Sequence, residues 1–152
     1  MARFILSGFA DEIDSDLKVQ VRELKRLNID RIEIRGVYGK SIIDYTEKEA
    51  REFKKLLDDE GIKVSALGSP IGKIGIKDAF EPHLDKFRHT IELAGILETN
   101  YIRMFSFYMP ENENPENYRE EVLERWHCFA EAAKNTGIVL AHENEKGIYG
   151  DT

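Results

Sequence analysis

The chain has 152 residues, 41% apolar and 34% charged, with 4 prolines and 11 glycines. That length suits one compact domain with a core, and the balance excludes collagenous, low-complexity and largely disordered chains. A net charge of −7, with Lys48, Arg51, Lys54 and Lys55 interleaved among Glu47, Glu49, Glu52 and Asp58, argues against nucleic acid as a partner, because duplex binding needs clustered Lys and Arg.

The apolar run at residues 4–9 is too short to cross a membrane, and Asp11-Glu12 follow it directly. It also lacks the basic region and cleavage pattern of a signal peptide, so it reads as a first strand, with no membrane partner expected. Leu17, Val21, Leu24 and Leu27 then form one helical stripe. Residues 29–35 have β character. A second helix opens on the capping box Thr46/Glu49 and buries Ala50, Phe53, Leu56 and Leu57. A strand at 62–67 precedes a third helix that starts near Pro82 and runs through Leu84, Phe87, Ile91 and Ala94. A strand at 101–107 leads to a fourth helix, with Asn114 as cap and Pro115 in its first turn. Its stripe is Tyr118, Val122, Trp126 (or Leu123), Phe129 and Ala133. The last strand is 138–142. Cys128 stands alone beside that stripe, without disulfide partner or metal-ligand spacing, and reads as a buried thiol; cytoplasm is the default compartment.

Each helix ends on a residue tolerant of the left-handed conformation just before an apolar run: Asn28-Ile29, Gly61-Ile62, Asn100-Tyr101 and Gly137-Ile138. The junctions recur about every 33 to 39 residues, the size of one βα unit, so a parallel sheet is expected. Two architectures use such units. A five-stranded open sheet fits 152 residues, whereas a closed eight-unit barrel needs about 250. The strand ends favour the barrel. Every strand runs into a polar cluster: Asp11-Glu12, Glu33-Ile-Arg35, Ser69-Pro-Ile-Gly-Lys73, Ser106-Phe-Tyr108 and Glu143-Asn-Glu145. With Ile32, Ile34, Ile102, Met104 and Leu140 turned to the helices, Glu33, Arg35, Arg103 and Glu143 turn inward. They face a barrel lumen, or form ion pairs at a sheet edge.

These motifs resemble the xylose-isomerase-like TIM barrels, and within them the sugar phosphate isomerase/epimerase branch. The resemblance is carried by Gly8-Phe-Ala-Asp-Glu-Ile13, Ile32-Glu-Ile-Arg35, Ser69-Pro-Ile-Gly-Lys73, Ile102-Arg-Met-Phe-Ser-Phe-Tyr108 and Glu143-Asn-Glu-Lys-Gly-Ile-Tyr-Gly-Asp-Thr152. It implies an α/β fold of parallel TIM-barrel type, with residues 1–152 as a single domain holding five strands and four helices of an expected eight-unit barrel. It further implies a divalent metal (Mn²⁺, Mg²⁺, Co²⁺ or Zn²⁺), with Glu143 as ligand and as the base that moves a proton through an enediolate. The Asp, His and Glu ligands that the family places on strands six to eight have no counterpart in this sequence. Weak metal binding and no turnover by the 152 residues alone are therefore expected.

Glu33, Arg35, Lys73 and Arg103 are the candidate substrate-binding residues, for a small sugar or sugar phosphate. The arginines offer planar forks to an oxyanion, or pair with Glu33. Lys73 sits in a loop that Gly72 and Gly75 would let move over a ligand, or is a solvated lysine. His142 is expected to face the helices, and His83, His89 and His127 to be surface or packing imidazoles. An endonuclease-type phosphodiesterase of the same fold fits less well, because Ser69-Pro70 and Ser106-Phe107 stand where that branch has histidine ligands. Unpaired sheet edges give a further expectation, a homo-oligomer or a non-catalytic, self-associating barrel fragment.

Overall fold

A computed structural model describes residues 4–151. Its main sheet holds β1 (Arg31–Ile34), β4 (Lys63–Gly68), β5 (Tyr101–Met104) and β6 (Val139–His142), all parallel and in that spatial order. A two-stranded antiparallel hairpin, β2 (Gly36–Val37) and β3 (Lys40–Ser41), stands apart from it. The helices are α1 (Leu17–Arg26), α2 (Glu47–Asp59), α3 (Glu81–Ile96) and α4 (Arg119–Ala133). Strands that neighbour one another in sequence also neighbour one another in space, as in a singly wound barrel; a doubly wound sheet would reverse its order partway.

Local chemistry sets the helix boundaries. Asp16 caps α1 by accepting the Lys18 N–H at 2.8 Å. Thr46 and Glu49 close the capping box of α2 reciprocally. Asn114 caps a 3₁₀ turn at Pro115–Tyr118, and the α-helix starts only after it, at Arg119. Asn28, Gly61 and Gly137 take positive φ at the helix ends, as the junctions required. The third junction differs: Glu98, not Asn100, holds the left-handed position (φ 55°). Its exposed carboxylate pairs with Lys54 at 3.0 Å.

The expected first strand is not formed as a strand. Across residues 4–9 only Gly8 bridges to β1, through Glu33 N–H to Gly8 C=O at 3.1 Å, and Phe4, Ile5 and Leu6 are exposed. A bulge explains the local irregularity. Ser65 has no register partner on β1, and its hydroxyl instead takes the Ile32 carbonyl (3.0 Å) and meets Ser7 (2.6 Å). One bridge beside a bulge does not supply the repeated ladder bonds of a strand. The hairpin at 36–41 was not expected either. Tyr38 and Gly39 both have positive φ (49° and 75°), the signature of a tight two-residue turn.

The helices cover one face of the sheet. Ile32, Ile34, Leu67, Ile102 and Met104 are fully enclosed beneath them. Phe80, Phe87, Phe107 and Phe129 meet between α3, α4 and the sheet at ring separations of 4.9–6.2 Å. Phe129 touches all three others, so Phe129→Ala opens a cavity that the cluster cannot refill. We expect it to cost about 3–5 kcal/mol in urea unfolding; a loss below about 1 kcal/mol would show that the cluster does not organise the core.

Candidate active site

Parallel strands deliver all their C-terminal ends to one edge of the sheet, and a cleft of about 540 Å³ opens there. It is lined by Arg35, Lys73, Arg103 and Glu143, four of the five residues singled out in the sequence, together with Asp11 and Glu145. Glu33, the fifth, does not line it. It lies behind Arg103, in a shallow depression on the open face of the sheet with Tyr101 and Ala141.

Glu143 follows β6 directly, and its N–H bonds Met104 C=O at 2.9 Å. Arg103 on β5 donates from Nη1 to its carboxylate at 2.8 Å. The same guanidinium faces Glu33 with Nε 3.5 Å from Oε1, an ion pair without an aligned hydrogen bond. Burial raises the Glu33 pKa, and the Glu143 charge adds to this against the lowering effect of Arg103. Arg35 does not pair with Glu33. It binds Asp11 at 2.8 Å and Glu12 at 3.1 Å, and its guanidinium stacks on Phe9. Gly36 makes room for this, since a Cβ there would sit 2.9 Å from Asp11 Oδ2.

Lys73 lies 2.5 Å from Glu145 and 4.2 Å over the Phe105 ring, so it is a paired cation. That hydrogen bond holds the Glu145 carboxyl below its usual range. Contrary to expectation, its loop is pinned to the continuation of β5. Phe105 N–H bonds Ile71 C=O (2.8 Å), Phe107 N–H bonds Gly72 C=O (2.9 Å) and Tyr108 N–H bonds Ile74 C=O (2.9 Å). Gly72 (φ 91°) is required by that close approach, because a Cβ would stand 2.1 Å from Phe105 O. The glycine serves packing rather than motion.

His83, at the start of α3, was expected only to pack. In the structure its Nε2 accepts the Gly72 N–H at 2.8 Å, which makes it a strut beneath the Lys73 loop. The acceptor role requires the neutral tautomer with the proton on Nδ1. Burial, then the charges of Lys86 and Arg125, lowers its pKa to about 4. No spacing in the sequence signals this contact. His142 faces the helices as expected, edge-on to Trp126 at 5.4 Å, with Nε2 2.9 Å from the Ser106 hydroxyl. Ser69 and Ser106 donate to the carbonyls of Arg103 and Tyr149, so both are structural. His89 bonds Tyr45 C=O, His127 is exposed, and Cys128 is a half-buried free thiol.

These residues do not by themselves make a metal site. Among the described residues no three His, Cys, Asp or Glu side chains converge, and the one candidate ligand, Glu143, is held by Arg103. A hard divalent cation needs several such donors in fixed geometry.

A sequentially ordered parallel sheet, helices on one face and a charged cleft at the C-terminal strand ends define a βα-barrel type of protein. The chain belongs to the xylose isomerase-like TIM barrel family, whose model matches residues 21–151. No curated protein matches the sequence. Among solved structures, a xylose isomerase-like TIM barrel protein from Mycobacterium smegmatis in complex with magnesium is similar at TM-score 0.69 and 19% identity, over 95% of this chain and 56% of that one. The probable 3-DHS dehydratase of petrobactin synthesis from Bacillus anthracis is similar at TM-score 0.74 and 16% identity, over 95% and 54%. The 3-keto-D-glucoside 4-epimerase from E. coli is similar at TM-score 0.71 and 17% identity, over 95% and 58%. The chain thus spans a little over half the length of these structures. No helix among the described residues is long and apolar enough to cross a membrane.

The His83 strut has a testable pH dependence. Its folded pKa lies below the unfolded value, so as pH falls the unfolded chain takes up a proton first. The stability it contributes is complete above about pH 6.5 and is lost progressively toward about pH 4. Urea unfolding between those limits should show this loss, and His83→Phe should flatten that part of the profile. Nitrogen chemical shifts should report an unprotonated Nε2 still present at pH 5; an imidazolium there would refute the strut.

Proposed function

We propose that the cleft belongs to a sugar isomerase or epimerase that works by proton transfer through an enediolate. The observation that carries the reading is the Glu143 carboxylate, held at 2.8 Å by Arg103 at the C-terminal end of a parallel strand, inside a cleft. A carboxylate so placed takes the proton from the carbon beside a carbonyl. The C–H electrons then become the C=C bond, and the carbonyl oxygen becomes the enediolate oxyanion. Returning the proton to the adjacent carbon, while the hydroxyl proton passes from that oxygen to the former carbonyl oxygen, isomerises the sugar; returning it to the opposite face of the same carbon epimerises it. Arg103 orients the base, while Arg35 and Lys73 are the cations nearest to hand for substrate oxygens. Glu33, behind Arg103, contributes by fixing that guanidinium. The epimerase and dehydratase named among the similar structures support chemistry beside a carbonyl.

In this reading Glu143 is also one ligand of a divalent metal, as the magnesium complex of a similar protein suggests. Among the described residues no further ligands converge on Glu143, and the chain is read as one domain holding part of a barrel. We expect the 152-residue chain to bind Mn²⁺ no better than a surface carboxylate does and not to interconvert sugars. A version extended by three further βα units should do both, and Glu143→Gln in it should lower kcat at least about a thousandfold. Micromolar Mn²⁺ binding by the short chain in calorimetry, with ketose–aldose exchange, would overturn this assignment. A cytoplasmic location accords with the single free cysteine.

The outer edge of β6 supports a second reading, self-association. That edge is unpaired among the described residues, and Val139 and Ala141 on it are exposed. Light scattering at tens of micromolar should find dimers or larger species; a monodisperse monomer would remove this reading.

A further inference from the structure

The charged groups of the cleft are unevenly matched. Its lining holds four cations, Arg35, Lys40, Lys73 and Arg103, against three carboxylates, Asp11, Glu143 and Glu145. Three of the cations have carboxylate partners within the chain: Arg35 with Asp11, Arg103 with Glu143 and Lys73 with Glu145. Lys40 has none among the described residues. Its ammonium lies 4.2 Å over the face of the Tyr45 ring, a contact that leaves the N–H donors free. The Glu49 carboxylate is near enough to feel this charge, but Oε2 already accepts from the Thr46 N–H and hydroxyl in the α2 cap.

The backbone around Lys40 is fixed. It sits on β3, one residue after the tight turn at Tyr38-Gly39. Tyr38 N–H bonds Ser15 C=O at 2.6 Å, Gln20 Nε2 donates to Gly36 C=O at 3.1 Å, and Ile42 N–H bonds Arg35 C=O at 2.9 Å. The Tyr45 hydroxyl donates to Val37 C=O, and Tyr38 packs on Phe53. Ser15 and Ser41 line the same end of the cleft, and their hydroxyls make no hydrogen bond among the described residues. Lys40, Ser15 and Ser41 therefore belong to one end of the pocket whose backbone is fixed.

We propose that this hairpin end of the cleft seats an anionic group of the ligand, a phosphate or a carboxylate, with Lys40 as its counter-charge. The proposal rests on the sugar reading only for the remainder of the ligand. At Arg35, Lys73 or Arg103 an incoming anion must displace a carboxylate already in place. At Lys40 no carboxylate stands within ion-pair distance and none has to be displaced, so the attraction is reduced only by solvent and by the neighbouring Glu49 charge. The chain carries −7 overall and offers anions no general attraction, so discrimination must come from this local group.

The test is equilibrium binding by the 152-residue protein, with fructose, fructose 6-phosphate and gluconate as probes and with amide shifts of Gly39, Lys40 and Ser41 recorded. At about 0.02 M salt, where screening is weak, one or both anions should bind at least about tenfold more tightly than fructose. Whichever anion shows the gap identifies phosphate or carboxylate as the source. Lys40→Gln should reduce that preference to under about threefold, and about 0.5 M salt should do the same. Lys48→Gln, on the exposed side of α2, should retain it. Equal affinity for all three probes would overturn the proposal. So would an unchanged preference in Lys40→Gln, or shifts confined to a separate groove on α1 and α2 lined by Lys18, Arg22, Lys25 and Glu60. Turnover plays no part in this readout: loss of the anion preference would refute the Lys40 seat alone, whereas the proton-transfer reading stands or falls on the extended version and its Glu143→Gln variant.

Discussion

Arg103 holds the site together. Its guanidinium joins Glu143 after β6 to Glu33 on β1, strands that β4 and β5 separate in the sheet. Phe9 and Phe105 cover it at 4.9 and 5.3 Å, and its side chain is only 15% exposed. A charge so enclosed is stabilised by being paired; removing one partner of a fully buried pair costs about 3–5 kcal/mol, and less is expected here because the Glu143 carboxylate is 43% exposed. The planar fork matters as well as the charge, because its N–H groups are held in fixed directions, Nη1 toward Glu143 and Nε on the side of Glu33. Gly68 is a consequence: a Cβ there would stand 3.0 Å from Arg35 Cβ and 3.3 Å from Arg103 Nη2. Two arginines pass side by side because the strand between them ends in glycine.

This arrangement places the chemistry on a rigid frame. The Lys73 loop extends the β5 ladder, Gly72 rests on the Phe105 carbonyl, and His83 takes the remaining N–H from below. Buried backbone donors left unmatched would each cost about 1–3 kcal/mol, so the loop keeps its shape without a ligand. Ion pairs fix the side chains in turn. A ligand oxygen approaching Lys73 must compete with Glu145, so those pairs select for groups that replace a carboxylate well, and neutral hydroxyls replace one poorly.

What the sequence reveals follows from the range of each interaction. Helical stripes and caps are local, and α1 to α3 fall where periodicity places them, while α4 begins only after the 3₁₀ turn that Asn114 caps. Alternation along β1 and β5 is local too, so Ile32 and Ile34 facing the helices oblige Glu33 to face away. Partner choice is not local. Arg35 finds Asp11 and Glu12 from 24 and 23 residues away, and nothing in the spacing prefers them to Glu33. His83 becomes an acceptor only because α3 begins beneath Gly72. A glycine read as freedom turned out to mark a close approach; both uses draw on the same missing Cβ, and only the neighbouring Phe105 carbonyl decides between them. The run at residues 4–9 looks like a strand by composition, yet a strand exists only through its ladder, and one bridge at Gly8 does not make one.

Family membership fixes the architecture more firmly than the chemistry. Similar structures at 16–17% identity include a probable dehydratase and an epimerase on this fold, so function has to be read from individual side chains. Here the side chains divide the cleft. At one end Glu143, the base of the proposed reaction, is ionically bound, with its direction set by Arg103. At the other, Lys40 has no carboxylate within ion-pair distance among the described residues and stands on a hairpin fixed from several sides. A ligand with a proton to lose at one end and a negative charge at the other matches both ends at once. The charge would then act at a distance from the reacting carbon, binding starting material and enediolate alike. Such uniform binding lowers KM and leaves kcat to Glu143 and the groups around the developing oxyanion.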